Sequence, residues 1–149
     1  MAGPEVRDLL VAPTYAGTSW GTLDLATDPR DPVPGEREVD LDVAVGPDAL
    51  RQALLIRLLT PLGSLAPLGH VAFGSRLHEL IGELDTPTTR RLARSYALQA
   101  VTAEPRVEAV LDLRVATRAE DGPETVSVWV LVKAADIADP IELGIEVAL

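Results

Sequence analysis

The chain has two histidines, His70 and His78, and no cysteine, so its capacity for chemistry rests on carboxylates, arginines and these two rings. A separation of eight residues suits no helical pair of metal ligands, even with an oxygen added by Glu79 or Glu83; a loop histidine and a helix-surface histidine explain both. Without cysteine there is no disulfide framework, no thiol nucleophile and no cysteine-based zinc site. A glycosidase needs two carboxylates about 5–10 Å apart, one of them with a raised pKa, around a sugar cleft. The 23 acids here fall mostly at alternating strand positions or in a Pro-rich stretch, and two Trp, two Tyr and one Phe are few rings for stacking sugars. Neither a phosphate-binding lysine loop nor a Gly-x-Ser-x-Gly elbow is present. The expectation is a chain with no catalytic residue, no metal ligand and no cofactor site.

Two polar groupings remain. Glu104-Pro105-Arg106 places a carboxylate near the negative end of a helix dipole, a turn after it, and a planar guanidinium beyond. It reads either as a helix stop carrying its own Glu–Arg pair or as a polar contact point for a partner. Arg90, Arg91 and Arg94 form a basic cluster on a helix of an acidic chain. They read either as a solvated face or as a receiver for a neighbour's acidic patch.

The elements that must carry these groups follow from length and pattern. At 149 residues, 47% hydrophobic and 24% charged, the chain is about one soluble domain, with a core of Leu, Val, Ile and Ala because only 3% is aromatic. Net charge is −10, distributed as −6 over residues 1–46, +2 over 47–106 and −6 over 107–149. That balance argues against nucleic acid or an anionic membrane as partner. A mildly basic middle between acidic ends suits a subunit wedged between different neighbours. The start lacks the basic and apolar segments of a signal peptide and Arg57 interrupts the apolar runs, so no membrane span and assembly in the cytoplasm are expected.

Residues 1–38 read as an irregular Pro/Gly-rich arm around Asp28–Gly35, with a short strand at Trp20–Leu25. Tyr15 and Trp20 in it either dock on a partner or pack back onto the body. Residues 39–149 read as one domain opening on an alternating strand, Val39–Val45. Pro47 and Asp48 open a helix to about residue 59 whose apolar stripe is so wide that only Arg51, Gln52 and Arg57 are left for water. A Pro/Gly loop follows, then a short helix at 76–81 capped by Ser75, burying Leu77, Leu80 and Ile81. Thr86 and Pro87 open a third helix, about 88–103, stopped by Pro105. Alternating runs predict strands at about 107–117, 125–134 and 141–148, the first two joined by an Asp121-Gly122 hairpin turn. The predicted fold is α+β, three helices packed on a three-stranded antiparallel sheet.

Three pieces in this order, Gln52-Ala53-Leu54-Leu55-Ile56-Arg57-Leu58-Leu59-Thr60-Pro61-Leu62-Gly63, Phe73-Gly74-Ser75-Arg76-Leu77 and Glu104-Pro105-Arg106-Val107, resemble the gene 25-like family. These are baseplate wedge proteins that initiate the sheath of contractile phage tails, with relatives in type VI secretion baseplates and extracellular injection particles. The resemblance covers about residues 40–118; Ser64 stands where an acid is often seen, and Val71 where Pro is common. It implies a fold like the interlocking domain of the sheath protein and a non-enzymatic subunit, present in several copies per particle. Such a subunit grips the helical bundle of larger wedge proteins and nucleates the sheath by templating strand addition. It also implies that the turn Glu104-Pro105-Arg106 contacts neighbouring baseplate parts; the charge pattern adds Arg90, Arg91 and Arg94 as a second contact. Glu142 and Glu146 would lie on the acidic C-terminal strand that receives the sheath protein. The N-terminal 38 residues lie outside the resemblance, and their contact would be the inner tube, the spike or another wedge protein. The alternative from a different class is a tail-associated peptidoglycan hydrolase, since relatives sometimes carry a lysozyme label.

Overall fold

The computed structural model describes residues 7–11, 43–117 and 124–149. Tyr15, Trp20, the Trp20–Leu25 strand, the Asp28–Gly35 stretch and the Asp121-Gly122 turn lie outside the described residues. The architecture is α+β. In order come β1 (Arg7–Leu9), β2 (Val43–Val45), α1 (Pro47–Leu59), single 3₁₀ turns at Ala66–Leu68 and Leu77–Leu80, α2 (Pro87–Thr102), β3 (Val107–Thr117), β4 (Thr125–Ala134) and β5 (Ile141–Ala148).

Alternation along the last three strands becomes an antiparallel meander, β3-β4-β5. Val126, Val128, Val130 and Val132 stand opposite Val147, Ile145, Leu143 and Ile141, and all eight are buried. That row is the inner face of the sheet, since side chains two apart on a strand share a face. Leu50, Leu54, Leu55 and Leu58 of α1 and Ala93, Ala97, Ala100 and Val101 of α2 close the core over it. Alanine at three of the four α2 positions lets that helix backbone lie close to the sheet. Shifts of register between Val107 and Ala109 and between Val110 and Asp112 bend the start of β3, where it leaves the turn after α2.

The structure corrects the expectation of three helices: the described residues hold two α-helices, and residues 76–81 hold only the 3₁₀ turn Leu77–Leu80. Its bonds run Glu79 N–H to Arg76 O and Ile81 N–H to His78 O, three residues back. The segment sits between Gly74 and Gly82, which is too short to recover the cost of nucleating an α-helix. Ile81, expected inside, is 63% exposed because the chain leaves the turn there in an extended conformation. Ser75 lies one residue before the capping position, yet its Oγ accepts from Leu77 N–H at 3.3 Å and donates to Leu58 O, tying the turn to the end of α1.

Thr86 caps α2 by accepting from Thr89 N–H at 3.1 Å, and Pro87 follows in the first turn. Thr86→Ala is expected to lower the unfolding free energy by about 1 kcal/mol in urea denaturation, with an unchanged dependence on denaturant.

Candidate functional site

Two residues left for water in the helical pattern of α1 are buried: Gln52 at 1% exposure and Arg57 at 9%. Each holds a separate connection. Gln52 accepts from Val11 N–H at 2.8 Å and donates to Leu9 O at 2.6 Å and to Asp8 Oδ2 at 3.3 Å. It thereby clasps the segment that carries β1, which pairs antiparallel with β2 through Arg7–Val45, Asp8–Ala44 and Leu9–Val43. A strand of three exposed residues has no sequence signal of its own; the glutamine and β2 make it one.

Arg57 enters the Glu104-Pro105-Arg106 turn from behind. Its Nη2 lies 3.2 Å from Glu104 Oε2, and Arg106 Nε lies 2.7 Å from Glu104 Oε1. The Arg57 guanidinium carbon also stands 4.5 Å from the centre of the Phe73 ring, a cation–π contact that covers its other side. Side-chain exposures are 7% for Glu104, 11% for Arg57 and 37% for Arg106. Burial pushes the Glu104 carboxyl up, but hydrogen bonds and charges from Arg106 and Arg57 outweigh it and hold the group below the usual carboxylate range. One carboxylate therefore joins the end of α1, the Phe73 loop and the turn after α2, and leaves Pro105 and part of Arg106 on the surface.

Arg90 and Arg94 of the basic cluster reach different partners. Arg90 Nε lies 2.9 Å from Asp85 Oδ1, Arg94 Nε donates to Leu113 O at 3.3 Å, and Arg91 is exposed. His70 and His78 are both exposed, and His78 Nδ1 lies 3.1 Å from Ser75 O. Among the described residues no group of three or more His, Asp or Glu is arranged to hold a metal ion.

The two edges of the sheet differ. Leu149 N–H donates to Glu124 O, which fixes the phase of the β4–β5 ladder. Since antiparallel pairs alternate between bonded and non-bonded, the backbones of Ile141, Leu143, Ile145 and Val147 face β4. Those of Glu142, Gly144, Glu146 and Ala148 therefore face away, along an edge that no described strand covers. The same phase on the other side turns the Leu113, Val115 and Thr117 backbones outward from β3. There Arg94 of α2 occupies Leu113 O, and the Thr117 hydroxyl donates to Asp85 Oδ2, just before α2. Arg94 thus meets the β3 edge, whereas Glu142 and Glu146 lie on the edge that no described strand covers.

Two hollows accompany these features. A cleft of about 350 Å³ on the outer sheet face is lined by Asp112, Arg114, Trp129, Leu131 and Glu142. The hydrogen bond from Arg114 Nε, 2.6 Å from Asp112 Oδ2, holds the Asp112 carboxyl below its usual range. A second, more apolar groove of about 360 Å³ runs between the 62–76 loop and α2, past Leu62, Val71, Tyr96, Ala100 and Ala103. On its wall Val71 is 67% exposed, and Leu68 in the same loop is 73% exposed.

No protein-family model and no curated protein sequence matches the chain. The fold is similar to a crystal structure from Geobacter sulfurreducens described as a "putative tail lysozyme", with a TM-score of 0.55 over 66% of this chain and 86% of that one. At 20% sequence identity that likeness establishes a shared fold.

Proposed function

We propose that the chain is a non-enzymatic baseplate subunit of a contractile, phage-tail-like particle that binds wedge proteins and starts the sheath by accepting strands on β5. The observation that carries this reading is the asymmetry of the sheet: α2 reaches the β3 edge through Arg94 at Leu113 O, while β5 offers four residues' worth of outward backbone groups that no described strand pairs. An ordered edge lowers the entropic cost of aligning the first sheath subunits, because one partner is already fixed. The apolar groove beside α2, with Leu68 and Val71 exposed, suits a helix of a larger wedge protein, and Arg106 at its turn supplies a polar contact. With its segment at residues 7–11 held by Gln52 and β2, the rest of the N-terminal arm would supply the contact with the tube or spike, with several copies in each particle.

The test is electron microscopy of particles from cells lacking the gene, complemented with edge variants. Deleting β5 would remove Ile141, Leu143, Ile145 and Val147 from the core, so a milder block is needed. Proline at 146 removes one outward N–H while sparing the ladder to β4, a placement that edge strands tolerate. Glu146→Pro is expected to leave tubes and baseplates without sheath, and Glu146→Thr, which keeps the N–H, to restore sheathed particles. Normal sheaths in the null strain would overturn the proposal.

A hydrolase is the second reading, favoured by the printed description of the similar structure and by Asp112, Glu142 and Trp129 sharing a cleft. A glycosidase acid must hold its proton near neutral pH, and Arg114 drives Asp112 the other way. Purified protein is expected not to clear a cell-wall suspension. Clearing that is abolished by Glu142→Gln would favour the hydrolase.

A further inference from the structure

If β5 accepts a strand, its outward positions also say what that strand carries, an inference that rests on the reading just given. Glu142, Gly144 and Glu146 present their backbones to the open edge and stand on the outer face, in rows with Leu131, Trp129 and Ser127 of β4. Gly144 is bare for a reason: a Cβ there would lie 2.9 Å from Trp129 Cε3. The indole therefore lies across Gly144 towards the edge, with a carboxylate on either side of it along the strand.

Neither carboxylate forms an ion pair among the described residues, although Glu142 lies within the field of Arg114 across the cleft. The bases on this face are engaged elsewhere: Arg114 lies 2.6 Å from Asp112, and Lys133 lies 3.0 Å from Glu108. Opposite charges directly across a strand pair are favourable and like charges unfavourable. A second copy of this chain pairing antiparallel through β5 about Gly144 would set Glu142 against Glu146 at both ends. The edge thus resists its own copy and leaves two positions that favour cations.

The geometry points to an incoming strand with two basic residues four positions apart and an apolar residue midway between them on the same face. The bases would stand opposite Glu142 and Glu146, and the apolar side chain would lie beside the Trp129 ring. The two positions between them would face the helix layer, continuing the rows of Leu143 and Ile145, and are apolar for that reason. The partner is therefore a peptide segment of the pattern base–apolar–apolar–apolar–base.

Fluorescence anisotropy with the full chain tests this, using labelled peptides that hold Arg-Val-Val-Val-Arg between threonines and matched peptides with Gln or Glu at both Arg positions. The Arg peptide is expected to bind roughly three- to tenfold more tightly than the Gln peptide, with the Glu peptide weakest. That preference should shrink as salt is raised through a few hundred millimolar. In Glu142→Lys/Glu146→Lys, checked for an unchanged thermal transition, the order of the Arg and Glu peptides should invert. Equal binding of all three would overturn the charge pattern and leave the acceptor edge standing. Binding of none would overturn both the pattern and the edge.

Discussion

Glu104→Gln is expected to cost about 3–5 kcal/mol of folding stability, since removing one partner from a buried pair strands the other charge. The stranded group is Arg57, whose side chain is 11% exposed and whose Nε is buried without a hydrogen-bond partner in the described structure. The neutral amide keeps the shape of Glu104, so the loss measures charge rather than a cavity. Arg106 contributes less to the deficit, because at 37% exposure its guanidinium can turn to water. Urea unfolding of the two proteins gives the difference directly. A double variant, Arg57→Met/Glu104→Met, is expected to recover much of the loss, because apolar replacement of a whole buried pair is often neutral. If Glu104→Gln costs under about 1 kcal/mol, water reaches Arg57 and the pair is not the joint described here.

The same group sets a pH dependence. The folded-state pKa of Glu104 lies below its unfolded value, so the native state binds its proton less readily. The resulting stability is fully present above the unfolded pKa and is lost as pH falls through the folded one. Wild type should therefore lose stability steadily from about pH 5 downward. Glu104→Gln should show a shallower decline over that range, with Asp112 and Glu79 adding smaller slopes of the same sign from exposed positions.

What the sequence made legible is what period and turn chemistry encode. The valines of β4 and their partners on β5 alternate in and out, so the sheet and its buried face follow from spacing alone. The capping Thr86 with Pro87 likewise announces α2. The misses share a cause: they depend on contacts distant in sequence. Arg57 sits among Leu54, Leu55, Ile56, Leu58 and Leu59, where helical spacing alone assigns a charge to the solvent face. It is buried because Glu104, 47 residues on, supplies the countercharge. An apolar surround on every side was the available signal. Gln52 is buried for the same kind of reason, by a segment 41 to 44 residues earlier. Helical spacing groups the arginines of α2 but does not show their partners, which lie on different elements: Asp85 before the helix and Leu113 on β3. The edge at Glu142 and Glu146 lies between these cases. Alternation gives the strand, but only the phase of the ladder says which residues turn outward.

Gly74→Ala is expected to be the most damaging single-methyl change in the described chain, at about 3 kcal/mol or more from backbone strain and overpacking together. Gly74 stands at φ +115°, a region that L-residues with a side chain rarely enter. Space is closed as well as conformation: a Cβ there would lie 2.6 Å from Thr60 O and 2.9 Å from Leu62 N. Both atoms belong to backbone, and neither can give way cheaply. Ser75 N–H donates to Thr60 O at 2.8 Å and Leu62 N–H donates to Ser75 O at 2.8 Å, the bonds of the Pro61–Ser75 bridge. That bridge returns the loop after α1 to its own start, sets Phe73 against Arg57 and brings the Ser75 hydroxyl to Leu58 O. The glycine between Phe73 and Ser75 is thus the point at which two backbones touch, and the methyl group must break the bridge or move the end of α1. Because the loop also orders the Arg57–Glu104 joint, the change should expose the loop's amides to hydrogen exchange before global unfolding. Gly63→Ala serves as the comparison. It has φ +82° but nothing within 4 Å of a Cβ, so it should carry the strain of a positive φ alone, about 1–2 kcal/mol. Equal losses at the two positions would mean that conformation, and not the close approach of Thr60 and Leu62, is what the glycine serves.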